Sequence, residues 1–230
     1  MLQAMRLLKD RVCNRFNMIM GQLRPNGITD EPLIRAFESV PREIFVPTSM
    51  QSLAYSDGAL PLIPGERWLL SPLVLAQLIQ LARIRPSDTV LVIGCGTGYS
   101  LDLLTQIAGC VIGLESHPDL SKVSEDYQRE QGIANGKVVS GALWIGYPKE
   151  APYDVILIEG AVAEIPPIIL EQLGSHGRLV TVIKEQTHLR SACGRGVLIS
   201  KVGDSLTLNP QFDANCPYLP EFEPTQGFFL

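Results

Sequence analysis
Little in this sequence suits a metal ion or a disulfide. Its three histidines, His117, His176 and His188, stand far apart, and its five cysteines, Cys13, Cys95, Cys110, Cys193 and Cys216, form no CxxC pair. That pattern argues against a disulfide framework and a zinc site and for a reducing compartment, so we expect a cytoplasmic chain without a metal. Positive charge is also short: 19 Lys and Arg against 24 Asp and Glu leave a net charge of -5. An acidic chain lacks the broad field that gathers a polyanion, which argues against nucleic acid as its partner. No apolar run approaches the ~20 residues of a bilayer span, and no membrane partner is expected. The basic, amphipathic start MLQAMRLLKDRVCNRF has no cleavage region of a secretory leader. Internal repeats and low-complexity tracts are absent.

What is present is core material. Hydrophobic residues make up 46% of the 230 and charged residues 19%, enough for one large domain. Three segments are expected within it: helices and loops over 1–84, an alternating core over 85–185, and a strand addition over 186–230. In the first, LIRAFESV reads as a short helix capped by Thr29 or Asp30 and stopped before Pro41. The stretch from Val46 to Trp68, rich in Pro, Gly and Ser, reads as loop or edge structure. SPLVLAQLIQLARI reads as a helix with Ser71 as N-cap and Pro72 at its first position.

From Asp88 onward strands and helices alternate. DTVLVIG, CVIGLES, KVVSG, YDVILIEGA and GRLVTVI read as strands; YSLDLLTQIAG, LSKVSEDYQREQGI and PPIILEQLG read as helices between them. This alternation implies a doubly wound, mostly parallel sheet. The tail GVLISKVGDSLTLNPQFDANCPYL has two extended runs about a Gly-Asp turn and predicts an antiparallel hairpin on the sheet edge.

The chemistry is expected at VLVIGCGTGYS, Val90 to Ser100. A strand that turns through Gly94, Gly96 and Gly98 into a helix lets a ligand approach backbone closely. The spacing is GxGxG; Tyr99 stands where the dinucleotide fingerprint has its last glycine, which weakens a nicotinamide reading. Glu115 ends the next strand and can accept both ribose hydroxyls of an adenosine; the plain alternative is a solvated strand end. Cys95 is explained by small size, and Tyr99 and Trp144 either flank a cofactor or belong to the core. His117 either touches an adenosine or neighbours a helix cap.

Several motifs, in order, resemble the protein-L-isoaspartate (D-aspartate) O-methyltransferase family. GITDEPLIRAFESVPREIFVP resembles its N-terminal segment, AYSDGALPL its substrate-side loop, VLVIGCGTGYS its cofactor loop, and PYDVILIEGAVAEIPPIILEQLGSHGRLV its fourth strand, following helix and fifth strand. The resemblance implies a Rossmann-like S-adenosylmethionine-dependent methyltransferase fold. It implies cofactor contacts from Gly94, Cys95, Gly96, Gly98, Tyr99, Glu115, Ser116, Gly141, Ala142 and Leu143. Asp57, Leu60, Pro61 and Arg67 would face the acceptor, the carboxylate of an isoaspartyl residue in a damaged protein or peptide.

Three positions depart from the family pattern. Val92 replaces the acid before the glycine loop, Ala142 replaces the Asp of a Gly-Asp-Gly turn, and Leu70 stands where the family has its active-site serine. Ser71, one residue on, either orients the acceptor or only caps its helix. Arg67 either binds a carboxylate bidentately or lies on the surface. The departures keep two alternatives open: a non-catalytic relative that binds or regulates, and a methyltransferase with another acceptor.

Overall fold
The structure, a computed structural model, describes residues 2–184 and 193–224. His188 and the aromatic pair Phe228 and Phe229 lie outside the described residues. Helix α1 runs from Leu2 to Met18 and continues through one wide turn, Ile19–Leu23. Helix α2, Glu31–Ser39, is capped by Asp30 rather than Thr29: its side chain accepts the Leu33 N–H at 3.2 Å. The apolar face of α2 (Leu33, Ile34, Phe37) is buried, which is what holds so short a helix in place.

The Pro- and Gly-rich stretch is more ordered than its composition suggests. It forms a small antiparallel ribbon of β1, Leu60–Ile63, and β2, Arg67–Leu69. Arg42, fully buried, holds both flanks of the ribbon: its Nε donates to the Ala54 carbonyl at 2.7 Å and its Nη2 to the Leu70 carbonyl at 2.5 Å. Burial lowers the pKa of this guanidinium, and its seat over the Tyr99 ring, 4.8 Å from the centroid, supports the charge. Helix α3, Pro72–Ala82, follows. Ser71 Oγ accepts the Val74 N–H at 3.3 Å, the N-cap its position before Pro72 predicts.

The core is one seven-stranded sheet. Its members are β3 (Thr89–Ile93), β4 (Cys110–Glu115), β5 (Gly136–Ser140), β6 (Tyr153–Val162), β7 (Leu173–Ile183), β8 (Gly194–Val202) and β9 (Ser205–Ala214), in the order β5-β4-β3-β6-β7-β8-β9. The first five are parallel, and β8 and β9 add the antiparallel hairpin about Gly203–Asp204. Helices α4 (Tyr99–Thr105), α5 (Pro118–Gln131) and α6 (Pro167–Glu171) provide the crossovers. Two helices are shorter than their apolar patterns suggest: α4 ends at Thr105, ahead of Gly109, and α6 spans only five residues because the chain enters β7 at Leu173. Apolar clusters cover both faces of the sheet, so β3 and β6 are buried almost throughout.

Chain order reverses at β3, which lies between β4 and β6. In open sheets of this kind the ligand crevice opens at the strand C-termini beside such a reversal. The glycine turn 94–98, Glu115 and Glu159 all sit there.

Candidate functional site
The turn after β3 needs its glycines. Gly94 has φ +80, in the left-handed region that costs an ordinary residue energy. The amides of Gly94 and Cys95 donate to the Leu114 carbonyl at 2.8 and 3.2 Å, which ties the turn to the end of β4. Thr97 Oγ1 donates to the Phe45 carbonyl at 2.6 Å and ties it to the VPREIFVP segment. Val92 is fully buried strand core and provides no polar brace for the turn. Cys95 is buried within the loop, and burial first, then Glu115 and Glu159, push its thiol pKa up; small size and not thiol chemistry suits it to this place.

Glu115 is not a solvated strand end. Its relative exposure is 0%, and both of its oxygens are engaged. Oε2 accepts the Gly96 N–H at 2.7 Å and an Arg67 Nη2 hydrogen at 2.5 Å; Oε1 accepts the Ser116 and His117 amides at 3.0 Å each. Arg67, 3% exposed, is therefore not a surface arginine. A carboxylate out of water requires a counter-charge, and this chain provides it from β2. The Arg67 Nε has no partner.

A second buried acid closes the inner side. Glu159, near the end of β6, is 5% exposed and its Oε1 has no hydrogen-bond partner. Burial pushes its carboxyl up to about 7, against the pull of Ser100, Arg67 and Arg42, with Glu115 adding to the rise.

The space over the glycines is filled by the chain itself. After β9 the segment 217–222 runs along the end of β6. The Ala161 amide donates to the Pro217 carbonyl at 2.8 Å, the Leu219 amide to the Ala161 carbonyl at 2.9 Å, and the Ala163 amide to the Phe222 carbonyl at 2.9 Å. Leu219 lies over the turn: a Cβ on Gly94 would meet Leu219 Cδ1 at 2.7 Å and Arg67 Nη2 at 3.3 Å. Gly160 admits the segment, since a Cβ there would lie 2.6 Å from Leu219 Cβ. Glu221, exposed and held at φ +73, accepts the Leu143 amide with Oε2 at 2.8 Å and the Trp144 amide at 3.3 Å. Beyond this cover a cleft of about 290 Å³ opens between Arg67, Ser116, His117, Pro220 and Glu223.

The remaining candidates divide. Ser116 borders the cleft, and the turn Gly141, Ala142, Leu143 lies next to Ser140 at the end of β5, its Leu143 amide taken by Glu221. Leu60 and Pro61 pair with Leu69 and Trp68 in the ribbon. Asp57 is exposed in the turn before β1. Tyr99 is fully buried among Phe37, Phe45 and Arg42, so core packing accounts for its ring, whereas Trp144 is 49% exposed. His117 occupies the N-cap position of α5, its Nδ1 buried without a partner; His176 is exposed in β7. Sequence reasoning missed Arg42, Glu159, Leu219 and Glu221. A charged residue inside the apolar run VILIEG was a usable signal for Glu159; no local pattern marked Arg42, Leu219 or Glu221. Among the described residues no cluster of His, Cys, Asp and Glu is arranged to hold a metal ion, and no helix is long and apolar enough to cross a membrane.

The donors suit an adenosyl ligand: a buried acid ends β4, backbone amides face the turn, and glycine keeps the turn low. The room does not exist with Arg67, Leu219 and Glu221 in place. All three reach these positions with side-chain atoms, Arg67 on Glu115, Leu219 over Gly94 and Glu221 on the Leu143 and Trp144 amides.

A doubly wound sheet with a glycine turn after its central strand and an acid ending the neighbouring strand defines a Rossmann-like methyltransferase fold. The family model described as Protein-L-isoaspartate(D-aspartate) O-methyltransferase matches residues 14–197, and the chain belongs to that family. A protein-L-isoaspartate O-methyltransferase of Methanoculleus marisnigri is 37% identical over 169 residues, covering 74% of this chain and 76% of its own. One of Koribacter versatilis is 38% identical over 167 residues, 73% and 75% of the two chains. A solved protein-L-isoaspartate O-methyltransferase superposes with a TM-score of 0.74 at 25% identity, covering 89% of this chain and 65% of that one. A Plasmodium falciparum candidate of the same kind, in complex with S-adenosyl-L-homocysteine, superposes with a TM-score of 0.71 at 20% identity over 92% and 98% of the chains, which speaks to fold alone.

Proposed function
We propose that this chain is an S-adenosylmethionine-dependent carboxyl methyltransferase acting on isoaspartyl residues of damaged proteins, in the cytoplasm. One observation carries the reading: the family pattern spans residues 14–197, through both the β1–β2 ribbon and the glycine turn that face each other across the crevice. Relatives that match over about three quarters of the chain carry that activity in their names, and the free cysteines suit a reducing compartment.

When bound, the cofactor supplies a methyl group on a sulfonium, which passes to a carboxylate oxygen and leaves a neutral thioether. Glu115 is the residue we assign to the ribose, and the Gly94–Gly98 backbone and Ser116 would hold the rest of the cofactor. The Ala142 and Leu143 amides would take the adenine edge, because Ala142 has no side-chain acceptor and the Gly141 amide already donates to the Glu115 carbonyl. The isoaspartyl carboxylate is ionised at neutral pH, so the protein needs no strong base. Its contribution is to align two reactants and exclude water. Ser71 is 7% exposed and its Oγ accepts the Val74 N–H, which leaves its O–H to donate to the acceptor carboxylate.

The test is methyl transfer from saturating S-adenosylmethionine to an isoaspartyl peptide, with the normal aspartyl peptide as control. Transfer to the first alone is expected; transfer to neither refutes the reading. Glu115→Gln should weaken S-adenosylhomocysteine binding about tenfold or more, and unchanged affinity by calorimetry removes Glu115 from the ribose.

A further inference from the structure
Three side-chain groups meet the acid, the turn and the amides that the methyltransferase reading assigns to the cofactor. A polar group engages the acid, an apolar group covers the glycine turn, and an acceptor engages the backbone amides after β5. Here they are the Arg67 guanidinium, the Leu219 side chain and the Glu221 carboxylate. We propose that Arg67, Leu219 and Glu221 form an internal occupant of the cofactor site, and that S-adenosylmethionine binds only when segment 217–222 lifts and Arg67 leaves Glu115. The inference rests on the methyltransferase reading for the identity of the ligand.

Three features support a cover that can move. Its contacts with the glycine turn and with the amides after β5 are made by side-chain ends, while three backbone hydrogen bonds join it to β6. Glu221 is held in the left-handed region, a conformation that costs a non-glycine residue about 1 kcal/mol or more, with its carboxylate on the Leu143 and Trp144 amides. The unpartnered Arg67 Nε and Glu159 Oε1 offer the guanidinium a second carboxyl neighbour once a ribose has taken Glu115. Lifting the cover costs free energy that the ligand must provide, so the apparent affinity falls by the fraction of molecules that are open.

The experiment is calorimetric titration of the full chain and of Glu221→Ala, Leu219→Ala and Arg67→Gln with S-adenosylhomocysteine, with amide hydrogen exchange on the wild type. Glu221 is exposed, so its variant folds even if Arg67→Gln, which leaves Glu115 without a counter-charge, does not. We expect Glu221→Ala and Leu219→Ala to bind about threefold to tenfold more tightly than wild type. We also expect saturating ligand to speed exchange at the Ala161, Ala163 and Leu219 amides. Equal or weaker binding in both variants, or exchange unchanged by ligand, overturns the internal occupant while leaving the methyltransferase reading intact. Tighter binding without transfer to an isoaspartyl peptide upholds the occupant and removes that reading. No binding by any of the four proteins at millimolar ligand overturns both.

Discussion

Glu115 and Glu159 show two fates of a buried acid within one site. Glu115 receives a guanidinium and three amides; Glu159 receives no partner for Oε1 and is pushed up to about 7 by burial. The charged groups facing Glu159 are Arg42, Arg67 and Glu115, with the Ser100 hydroxyl beside it. A folded pKa of about 7 against the ordinary carboxyl value of 4.5 means that the native state holds a proton the unfolded state has released across that window. Stability from this group is greatest below the lower value and falls as pH rises to the upper one, by at most about 3 kcal/mol. Denaturant midpoints near pH 5 and pH 8 should therefore differ more in wild type than in Glu159→Gln; equal slopes would show that Glu159 is charged throughout. Ser71 makes a simpler case. Loss of its cap in Ser71→Ala should cost about 1 kcal/mol, measured in the same way. A fall in methyl transfer beyond that expected from stability would give the hydroxyl its second role.

At the scale of elements, the site is built where three pieces meet: the turn after β3, the ribbon β1–β2, and the segment after β9. The ribbon is anchored at its base by Arg42, so its Arg67 edge reaches the end of β4. The segment after β9 lies against β6 because Gly160 leaves room. Gly160→Ala would place a Cβ 2.6 Å from Leu219 Cβ and 3.0 Å from the Leu219 amide nitrogen, contact with backbone that a side-chain turn cannot relieve. The substitution should release the segment: the Leu219 and Ala163 amides would exchange faster without any ligand. Unchanged protection would mean that the segment shifts and stays docked.

At the scale of the molecule, one contact set joins the helical first third to the sheet. Arg178 on β7 donates from Nε to the Ala82 carbonyl at 2.8 Å and from Nη2 to the Arg83 carbonyl at 3.1 Å and Asp88 Oδ2 at 2.5 Å. It completes the end of α3 and the entry to β3 together. Arg178→Ala should lower global stability by roughly 2–3 kcal/mol, read from the denaturant midpoint; a loss under about 0.5 kcal/mol would make it an ordinary surface charge.

The local pattern of residues was enough for the alternation of strands and helices, the Ser71 cap, the glycine turn and the tail hairpin, because each depends on neighbours along the chain. Apolar runs, Pro72 after Ser71 and the Gly-Asp pair all act within a few residues. The motif order was likewise enough for the family. What depends on residues far apart was not legible: Arg67 against Glu115 across 48 positions, and Glu221 against Leu143 across 78. No periodicity encodes such meetings; they follow from the sheet order, which brings the ends of β2, β4, β5 and β6 and the segment after β9 to one crevice. Sequence alone therefore established the family and the glycine turn, and only the tertiary structure decided that Arg67, Leu219 and Glu221 meet Glu115, Gly94 and the Leu143 amide, since close packing at the strand ends selects the partners of each buried charge.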